Sequence, residues 1–305
     1  MSLVRIIARL DIKGSNLIKG IELDGHRVLG SVEDFSEKYY SKGIDEFYYQ
    51  DSVASLYRRN SLHEVIKKTA EHSFIPLTVG GGIKSLGDIY DCLHAGADKI
   101  SINSEACRNP QFINDAVQEF GSQCIVASID MYNIGGTYEV WIDYGKERSD
   151  KLAKQWALEL ADRGAGDIII TSINRDGHGM GFENEFYQDV SDKLHIPLIA
   201  SGGAGNPNHF VDVVQSGANA VAAASVFHYH YAKPERENKT MQMKSGDLRY
   251  GKNIDSGNIN FINYGYGGQD KTNVTPCSIS SVKKHMIDNG IKTRLIVPQQ
   301  IKTTI

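Results

Sequence analysis

Short apolar runs alternate with amphipathic stretches along most of the chain. In the amphipathic stretches, such as SLHEVIKKTAEH and NPQFINDAVQEFG, apolar residues recur at the spacing of one helix face. The apolar runs have the length of single strands, and strands that alternate with helices are typical of parallel βαβ units. There are eight such runs: VRIIARLDI, EFYYQDS, PLTVGG, KISINS, CIVASID, DIIITSI, PLIASGG and AVAAASVF.

The chain also contains an internal repeat. Four helix-like segments end at a glycine that leads into an apolar run, and glycine suits a helix C-terminus because it adopts left-handed backbone without a Cβ penalty. A shift of 121 residues carries Gly43 onto Gly164 and Gly96 onto Gly217. The same shift aligns IPLTVGGGI with IPLIASGGA. The sequence therefore indicates two copies of one half-unit.

Eight strands in two equivalent sets favour a closed sheet, because an open doubly wound sheet would give the two halves unequal edges. We predict an α/β fold, a (β/α)8 TIM barrel formed from two half-barrels. One barrel is expected to comprise residues 1–230 and 277–305, with residues 231–276 inserted after the eighth strand. In such barrels the active site lies at the carboxyl ends of the strands.

A glycine-rich strand end occurs once in each half. Glycines let backbone N–H groups approach an anion, and polar side chains and helix N-termini complete a cradle for phosphate. Such loops also occur as plain tight turns. Their recurrence at the same shift, each beside a second strand end, favours two phosphate sites and a substrate phosphorylated at both ends. The predicted cradles comprise Gly81, Gly82, Asn103 and Ser104 in the first half and Gly202, Gly203, Ala224 and Ser225 in the second.

Two aspartates end the first and fifth strands. Asp11 and Asp130 are 119 residues apart, which makes them near counterparts in the two halves. Two carboxyl groups across a barrel mouth take opposite protonation roles when their surroundings shift their pKa values apart. A lone aspartate at a strand end more often caps a turn, but the paired placement favours acid/base catalysis. Lys19, in the loop after the first strand, is a candidate for contacting a bound phosphate.

Composition narrows the functional class. With 33 Lys and Arg against 37 Asp and Glu, the formal charge is −4, and the absence of a long basic run argues against nucleic-acid binding. No apolar stretch is long enough to span a bilayer, and the N-terminal segment does not have the pattern of a secretory signal. Four single cysteines, without a CxxC pair or a Cys/His cluster, indicate reduced thiols and no metal site. We expect a cytoplasmic protein that binds neither membranes nor nucleic acid.

Taken together, these motifs resemble the HisF family, the cyclase subunits of imidazole glycerol phosphate synthase. The resemblance extends from residue 1 to about residue 230, and SISSVKKHMIDNGIKTRL is similar to the last helix of the family. The sister isomerase of histidine biosynthesis shares the barrel, the duplication and the paired aspartates, but FGSQCIV and TSINRDG are similar to the cyclase branch. The motifs that carry the resemblance are RLDIKGSNLIKG, FIPLTVGGGIKS, AGADKISINS, FGSQCIVASID, DIIITSINRDG and IASGGAGNPNHF.

The resemblance implies a heterodimer with a HisH-like glutaminase. The glutaminase would dock on the N-terminal face of the barrel and release ammonia, which would cross the barrel interior to a bis-phosphorylated ribulosyl substrate. There the imidazole ring closes and an aminoimidazole carboxamide ribotide leaves. The resemblance implies no metal or organic cofactor.

The resemblance also implies roles for individual residues. Asp11 and Asp130 match the acid/base pair, and Lys19 matches the loop residue that helps to hold the substrate. Substrate or phosphate positions are matched by Gly82, Asn103, Thr171, Gly203 and Ser225. A charged ring at the ammonia entrance is matched by Arg5, Glu46 and Lys99, with Asp167 where the family usually has Glu, and positions near the partner interface by Asp98 and Gln123.

Three features depart from the family pattern: Arg9 where a small residue is common, Asn174 where Asp is common, and the segment 231–276. By strand alternation, Arg9 is expected to point into the barrel and to need a carboxylate partner there. RLDIKGSNLIKG with Arg9 also resembles a paralogous branch linked to surface-polysaccharide genes, in which ammonia serves the amidation of an acetamido sugar. Two further alternatives are a non-catalytic ammonia conduit and the sister isomerase.

Overall fold

Eight parallel strands close into a barrel in the computed structural model, which describes residues 3–52, 60–232 and 272–295. Each strand pairs with its neighbours in the order β1, β4, β5, β6, β7, β10, β11, β12, and β12 pairs with β1 again. The predicted (β/α)8 barrel is therefore confirmed. The barrel strands are β1 Arg5–Lys13, β4 Glu46–Asp51, β5 Leu77–Gly80, β6 Lys99–Ile102, β7 Ile125–Ile134, β10 Asp167–Ser172, β11 Leu198–Ser201 and β12 Ala220–Ala223.

Helices connect the strands and cover the outside of the barrel. Their starts are encoded locally: the Ser85 side chain accepts from Asp88 N in a capping box at the start of α3, and Pro207 opens α8 after an Asn206 cap. The helices are α1 Val32–Ser41, α2 Asn60–His72, α3 Leu86–His94, α4 Ser104–Arg108, α5 Gln111–Phe120, α6 Ala153–Asp162, α7 Asn184–Ser191, α8 Pro207–Gln215, α9 Ser225–Tyr231 and α10 Ile279–Asp288.

Two β-hairpins, which the pattern of apolar runs did not predict, rise from the barrel mouth. They are β2 Asn16–Ile21 with β3 Asp24–Ser31, and β8 Thr137–Ile142 with β9 Glu147–Leu152. Each extends a barrel strand, because β2 pairs antiparallel with β1 and β8 pairs antiparallel with β7. The tips lie side by side, with Lys146 Nζ 3.5 Å from Asp24 Oδ1.

The hairpin turns obey the internal repeat. Glu22 and Leu23 have φ of 53° and 58°, and Asp143 and Tyr144 have φ of 51° and 59°. In the first hairpin, where Ile21 pairs with Asp24, these two residues form the two-residue turn that matches the twist of a hairpin. In the second, Ile142 pairs with Glu147, so the same two left-handed residues begin a four-residue connection. The shift of 121 residues carries the first pair onto the second, so the duplication predicted from the glycines extends to these turns.

Side chains of the barrel strands alternate between two apolar clusters. On β1, Ile6, Ala8, Leu10 and Ile12 belong to the large core between sheet and helices. Ile7 points the other way, into a small cluster that fills the middle of the barrel. That inner cluster comprises Ile7, Tyr48, Val126, Ile169, Ile199, Ala220 and Ala222.

The segment after the insertion returns to the barrel. The helix α10 confirms the helix expected near the end of the chain, and its Lys283 Nζ donates to Asp45 Oδ1 (2.6 Å) and to the Gly43 carbonyl (2.7 Å). Thr293 pairs with Val4 beside the first strand. The insertion itself falls largely on residues 233–271, outside the described residues, so the predicted domain boundaries stay a prediction. No helix in the described part of the chain is long and apolar enough to cross a membrane.

Candidate active site

A ring of four charged side chains lies inside the barrel at its N-terminal end. Arg5 donates to Glu46 Oε1 (2.8 Å) and to Asp167 Oδ1 (3.2 Å), and Lys99 Nζ donates to Asp167 Oδ2 (2.6 Å). These side chains share the inward face of the sheet with the inner apolar cluster, and they lie nearer the N-terminal ends of the strands, so the ring forms one layer below the cluster. The four residues predicted to form a charged ring are therefore brought together by ion pairs at the floor of the barrel.

A cavity of about 540 Å³ opens at the opposite end of the barrel, over the first half. Its walls are the ends of β4 to β7 and the tip of the second hairpin. Of the predicted site residues, it brings together Gly81, Gly82, Asn103, Ser104 and Asp130. Basic side chains at its rim are Lys84, Arg108 and Lys146.

The two predicted phosphate cradles have matching backbones. Gly81 and Gly82 have φ of 105° and 64°, while Gly202 and Gly203 have φ of 80° and 124°. A Cβ at Gly81 would lie 2.3 Å from the Asp51 carbonyl oxygen, so no larger residue fits there. The residues that precede α4 and α9 also match, with φ −119° and ψ −84° at Asn103 and φ −119° and ψ −81° at Ala224.

The second cradle is covered by other segments of the chain. Gly181 N donates to the Gly203 carbonyl (2.9 Å), and Thr275 N donates to the Gly205 carbonyl (2.7 Å). Gly202, Gly203, Ala224 and Ser225 do not line the 540 Å³ cavity that the described residues form. Within that same part of the chain, the buried Ser225 hydroxyl has no hydrogen-bond partner. The second half thus keeps an unsatisfied polar group where the first half has an open cavity.

Asp130 lines the open cavity and is held by Asn103, the residue that follows β6. Asn103 Nδ2 donates to Asp130 Oδ2 (2.9 Å). Burial opposes ionisation of this carboxyl group, and repulsion from the nearby Asp11 opposes it further, whereas the positive charge of Arg9 favours it. The net result is that the pKa of Asp130 is raised to about 6. Asp130 is therefore able to hold or release a proton close to neutral pH.

Asp11 is in a different setting. It is 1% exposed, and Arg9 Nε donates to its Oδ1 (3.1 Å). Burial opposes ionisation here too, but the charges of Arg9 and Lys19 outweigh it, and the pKa of Asp11 is lowered. Asp11 is absent from the lining of the cavity that the described residues form. The pKa values of the two symmetry-related carboxyl groups are thus shifted in opposite directions.

Arg9 points into the barrel, as predicted from strand alternation. It is 4% exposed, and besides Asp11 it donates to Thr171 Oγ1 (2.7 Å) and Ser201 Oγ (3.2 Å). The expected carboxylate partner is confirmed. Thr171, expected to contact substrate, is engaged by this guanidinium.

Lys19 forms an ion pair that was not predicted from the sequence. It is 1% exposed, and its Nζ donates to both carboxylate oxygens of Asp176, at 3.0 and 2.7 Å. The Leu23 amide donates to the same carboxylate (3.3 Å), so Asp176 fixes the first hairpin to the loop after β10. The two partners are 157 residues apart, and no local pattern in the sequence signals such a pair.

Asp98 and Gln123 lie on the N-terminal face, directly before β6 and β7, and both are exposed. Asp98 Oδ2 accepts from Leu77 N (2.8 Å). In the described residues, the trio of groups close enough to share a metal ion is Glu33, Glu37 and His72, which is exposed on α1 and α2 and belongs to no cavity at the barrel mouth.

Replacing Asp130 with Asn should stabilise the folded chain at pH 8. When the pKa of a carboxyl group is higher in the folded than in the unfolded state, the folded protein loses stability as the pH rises from the unfolded to the folded pKa. Here that interval runs from about 4 to about 6. Above it, removing the buried charge is expected to add up to ~3 kcal/mol to the free energy of unfolding. Urea unfolding of both proteins at pH 4 and pH 8 checks this, and an equal difference at the two pH values would contradict it.

Comparison with known proteins gives consistent matches. A sequence profile described as "Histidine biosynthesis protein" matches residues 5–233. The chain is 46% identical over 226 residues to the imidazole glycerol phosphate synthase subunit HisF of Flavobacterium johnsoniae, covering 74% of this chain and 90% of that protein. It is 49% identical over 211 residues to the HisF subunit of Legionella pneumophila, covering 69% and 100%. It is 39% identical over 248 residues to the HisF subunit of Pyrobaculum aerophilum, covering 81% and 98%.

Proposed function

The chain belongs to the histidine biosynthesis protein family and, within it, to the HisF branch, and we propose that it is the cyclase subunit of an imidazole glycerol phosphate synthase. The reaction uses ammonia and a bis-phosphorylated ribulosyl aminoimidazole carboxamide. It yields imidazole glycerol phosphate and aminoimidazole carboxamide ribotide. The observation that carries the proposal is the pair Asp11 and Asp130, symmetry-related carboxyl groups with pKa values shifted in opposite directions at one barrel mouth.

The two carboxyl groups divide the proton transfers. Addition of ammonia to a carbonyl group places a proton on the carbonyl oxygen and removes one from the nitrogen. Asp130, with the raised pKa and an open cavity, is suited to donate the first proton. Asp11, which is ionised, is suited to accept the second. Because Arg9 also donates to Asp11, the basicity of this acceptor is reduced.

The substrate phosphates would occupy the two glycine cradles. In the first, Gly81, Gly82 and Ser104 border the open cavity, with Arg108 and Lys84 at its rim to balance the phosphate charge. In the second, Gly203 and Ser225 would receive the other phosphate after the loop that contains Gly181 moves away. Lys19 would contact substrate only after leaving Asp176.

The partner would be a HisH-like glutaminase on the N-terminal face. The HisF relatives are named as subunits of a synthase, which supports a partner subunit. Asp98 and Gln123 are exposed on that face. The charged ring of Arg5, Glu46, Lys99 and Asp167 stands at the entrance through which ammonia would pass.

A second candidate function is delivery of ammonia for amidation of an acetamido sugar. Arg9 favours it, because this side chain occupies the barrel interior and lowers the basicity of Asp11. In that function, and in a non-catalytic conduit, Asp11 and Asp130 would not close an imidazole ring. Both alternatives keep the barrel and the glutaminase.

The test is turnover by the purified chain alone. With an ammonium salt and the ribulosyl bis-phosphate, we expect loss of substrate absorbance and the two products in equal amounts. Omission of the ammonium salt is the control and should stop the reaction. Substrate binding without either product would reject ring closure and favour the sugar-amidation function.

A further inference from the structure

A layer of polar side chains lies across the barrel interior, between the charged ring at the floor and the cavity at the mouth. Its first member is Arg9, which projects from β1 and reaches Thr171 on β10 and Ser201 on β11. Along the sheet these strands are separated from β1 by β12, whose small inward residue Ala222 leaves room for the guanidinium. Arg9 therefore spans one half of the interior.

Tyr48 spans the other half. It projects from β4, and its hydroxyl lies 2.7 Å from Ser101 Oγ on β6 and donates to Gln50 Oε1 (3.1 Å). The Arg9 guanidinium lies over the Tyr48 ring, 5.7 Å from its centroid. The two side chains therefore meet near the barrel axis, and their hydrogen bonds tie the layer to strands on both sides.

This layer is the lower limit of the open cavity. Arg9 is 4% exposed and Tyr48 is 2% exposed. The cavity is lined by Ser101, the hydrogen-bond partner of Tyr48, and by Ser128 on β7, but by neither Arg9 nor Tyr48 and by none of the described residues beneath them. Below lie other members of the inner apolar cluster, among them Ile7 and Ile169, and then the charged ring.

We propose that Arg9 and Tyr48 form a plug that separates the floor of the barrel from its mouth, and that the Arg9 to Asp11 ion pair holds the plug closed. The proposal rests on the proposed function, in which ammonia arrives from the floor. The plug would be a second barrier above the charged ring, and the ion pair would connect this barrier to the catalytic carboxylate of Asp11. Ammonia from a partner passes only when Arg9 leaves Asp11, whereas ammonia from solvent reaches the cavity through the mouth.

Two matched pairs of variants separate the effect of side-chain size from the effect of the other groups that each side chain carries. Arg9→Ala opens the plug, while Arg9→Met removes the charge and keeps a long side chain in the interior. Tyr48→Ala opens the other half of the plug, while Tyr48→Phe keeps the ring. The tyrosine pair leaves the Arg9 to Asp11 ion pair in place, so it remains informative if the Arg9 variants fold poorly.

The first readout is the nitrogen source of the product. The chain with its glutaminase subunit receives glutamine labelled with ¹⁵N in the amide and unlabelled ammonium salt in the buffer. We expect each alanine variant to raise the ratio of ¹⁵N to ¹⁴N in the product several-fold over wild type, with Tyr48→Phe close to wild type. Arg9→Met, which keeps the bulk but loses the ion pair with Asp11, should lie between wild type and Arg9→Ala. Equal ratios in all five proteins would overturn the plug.

The second readout needs neither partner nor turnover. Crystal structures of the chain alone should show ordered water passing through the layer in Tyr48→Ala and Arg9→Ala, and none passing it in wild type or Tyr48→Phe. A continuous water path in wild type would overturn the plug. If no variant makes product from either nitrogen source, the proposed function fails, and the crystallographic comparison alone decides the plug.

Discussion

Asp130→Asn is expected to lower ammonium-dependent turnover by ~10²–10⁴-fold, the usual contribution of a general acid. The amide keeps the size of the carboxyl group and its contact with Asn103 but has no proton to give. Because the pKa of Asp130 is raised to about 6 and the group acts as the acid, wild-type kcat/KM should fall as pH rises through that value. Initial rates between pH 5 and pH 9, expressed per concentration of free NH₃, measure both effects.

A matched control removes a carboxylate from the same cavity. Asp143 lines it but is exposed and paired with Arg108. Asp143→Asn should leave turnover close to wild type and preserve the decrease near pH 6. Turnover of Asp130→Asn within tenfold of wild type, or a pH profile that it shares with wild type, would exclude Asp130 as the acid.

Arg9→Met is expected to destabilise the fold by ~3–5 kcal/mol, because it leaves the buried Asp11 carboxylate without its partner. Removing the second charge as well, in Arg9→Met with Asp11→Asn, should recover most of that loss, since two neutral groups carry no unpaired charge into the interior. Urea unfolding at pH 7 of wild type, both single variants and the double variant gives the coupling energy.

An exposed pair serves as the control for this cycle. Arg108 pairs with Asp143 at the surface, and Arg108→Met should cost less than ~1 kcal/mol. If the two changes at Arg9 and Asp11 add without coupling, the ion pair does not hold the interior together. The same result would remove the physical basis for a plug held by Asp11.

The architecture could be read from the sequence because each of its signals is local or periodic. Gly43, Gly96, Gly164 and Gly217 all have positive φ at the corners predicted from the repeat. Strand alternation was sufficient to direct Arg9 inward, since every second side chain of a barrel strand faces the interior. The eight strands were predicted from short apolar runs separated by helix-like stretches, which is also a local signal.

The two hairpins were missed because their strands lack clean alternation. NLIKGI is buried at four successive positions, TYEVWI alternates only in part, and their partners DGHRVLGS and ERSDKL are mostly polar. A usable signal was present in the repeat itself. Glu22 and Leu23 fall on Asp143 and Tyr144 under the same shift as the glycines, and each pair is followed closely by a glycine.

The contrast between the two halves could not be predicted from the repeat, which implies equivalence. Asp130 borders an open cavity, while Asp11 is covered by Arg9, a residue with no charged counterpart at the end of β7. Lys19 was expected beside a phosphate, but it pairs with Asp176, far away in the chain. Long-range ion pairs depend on tertiary packing, so a residue pattern along one strand does not reveal them.

The opposite pKa shifts of Asp11 and Asp130 are tested most directly by NMR titration of their carboxyl carbons. Protein labelled with ¹³C in aspartate is titrated from pH 3 to pH 9, and Asp11→Asn and Asp130→Asn assign the two signals. Asp130 should titrate near pH 6, and Asp11 should stay ionised well below that pH. Titration of both groups at ordinary aspartate values, or Asp11 above Asp130, would contradict the division of roles between them.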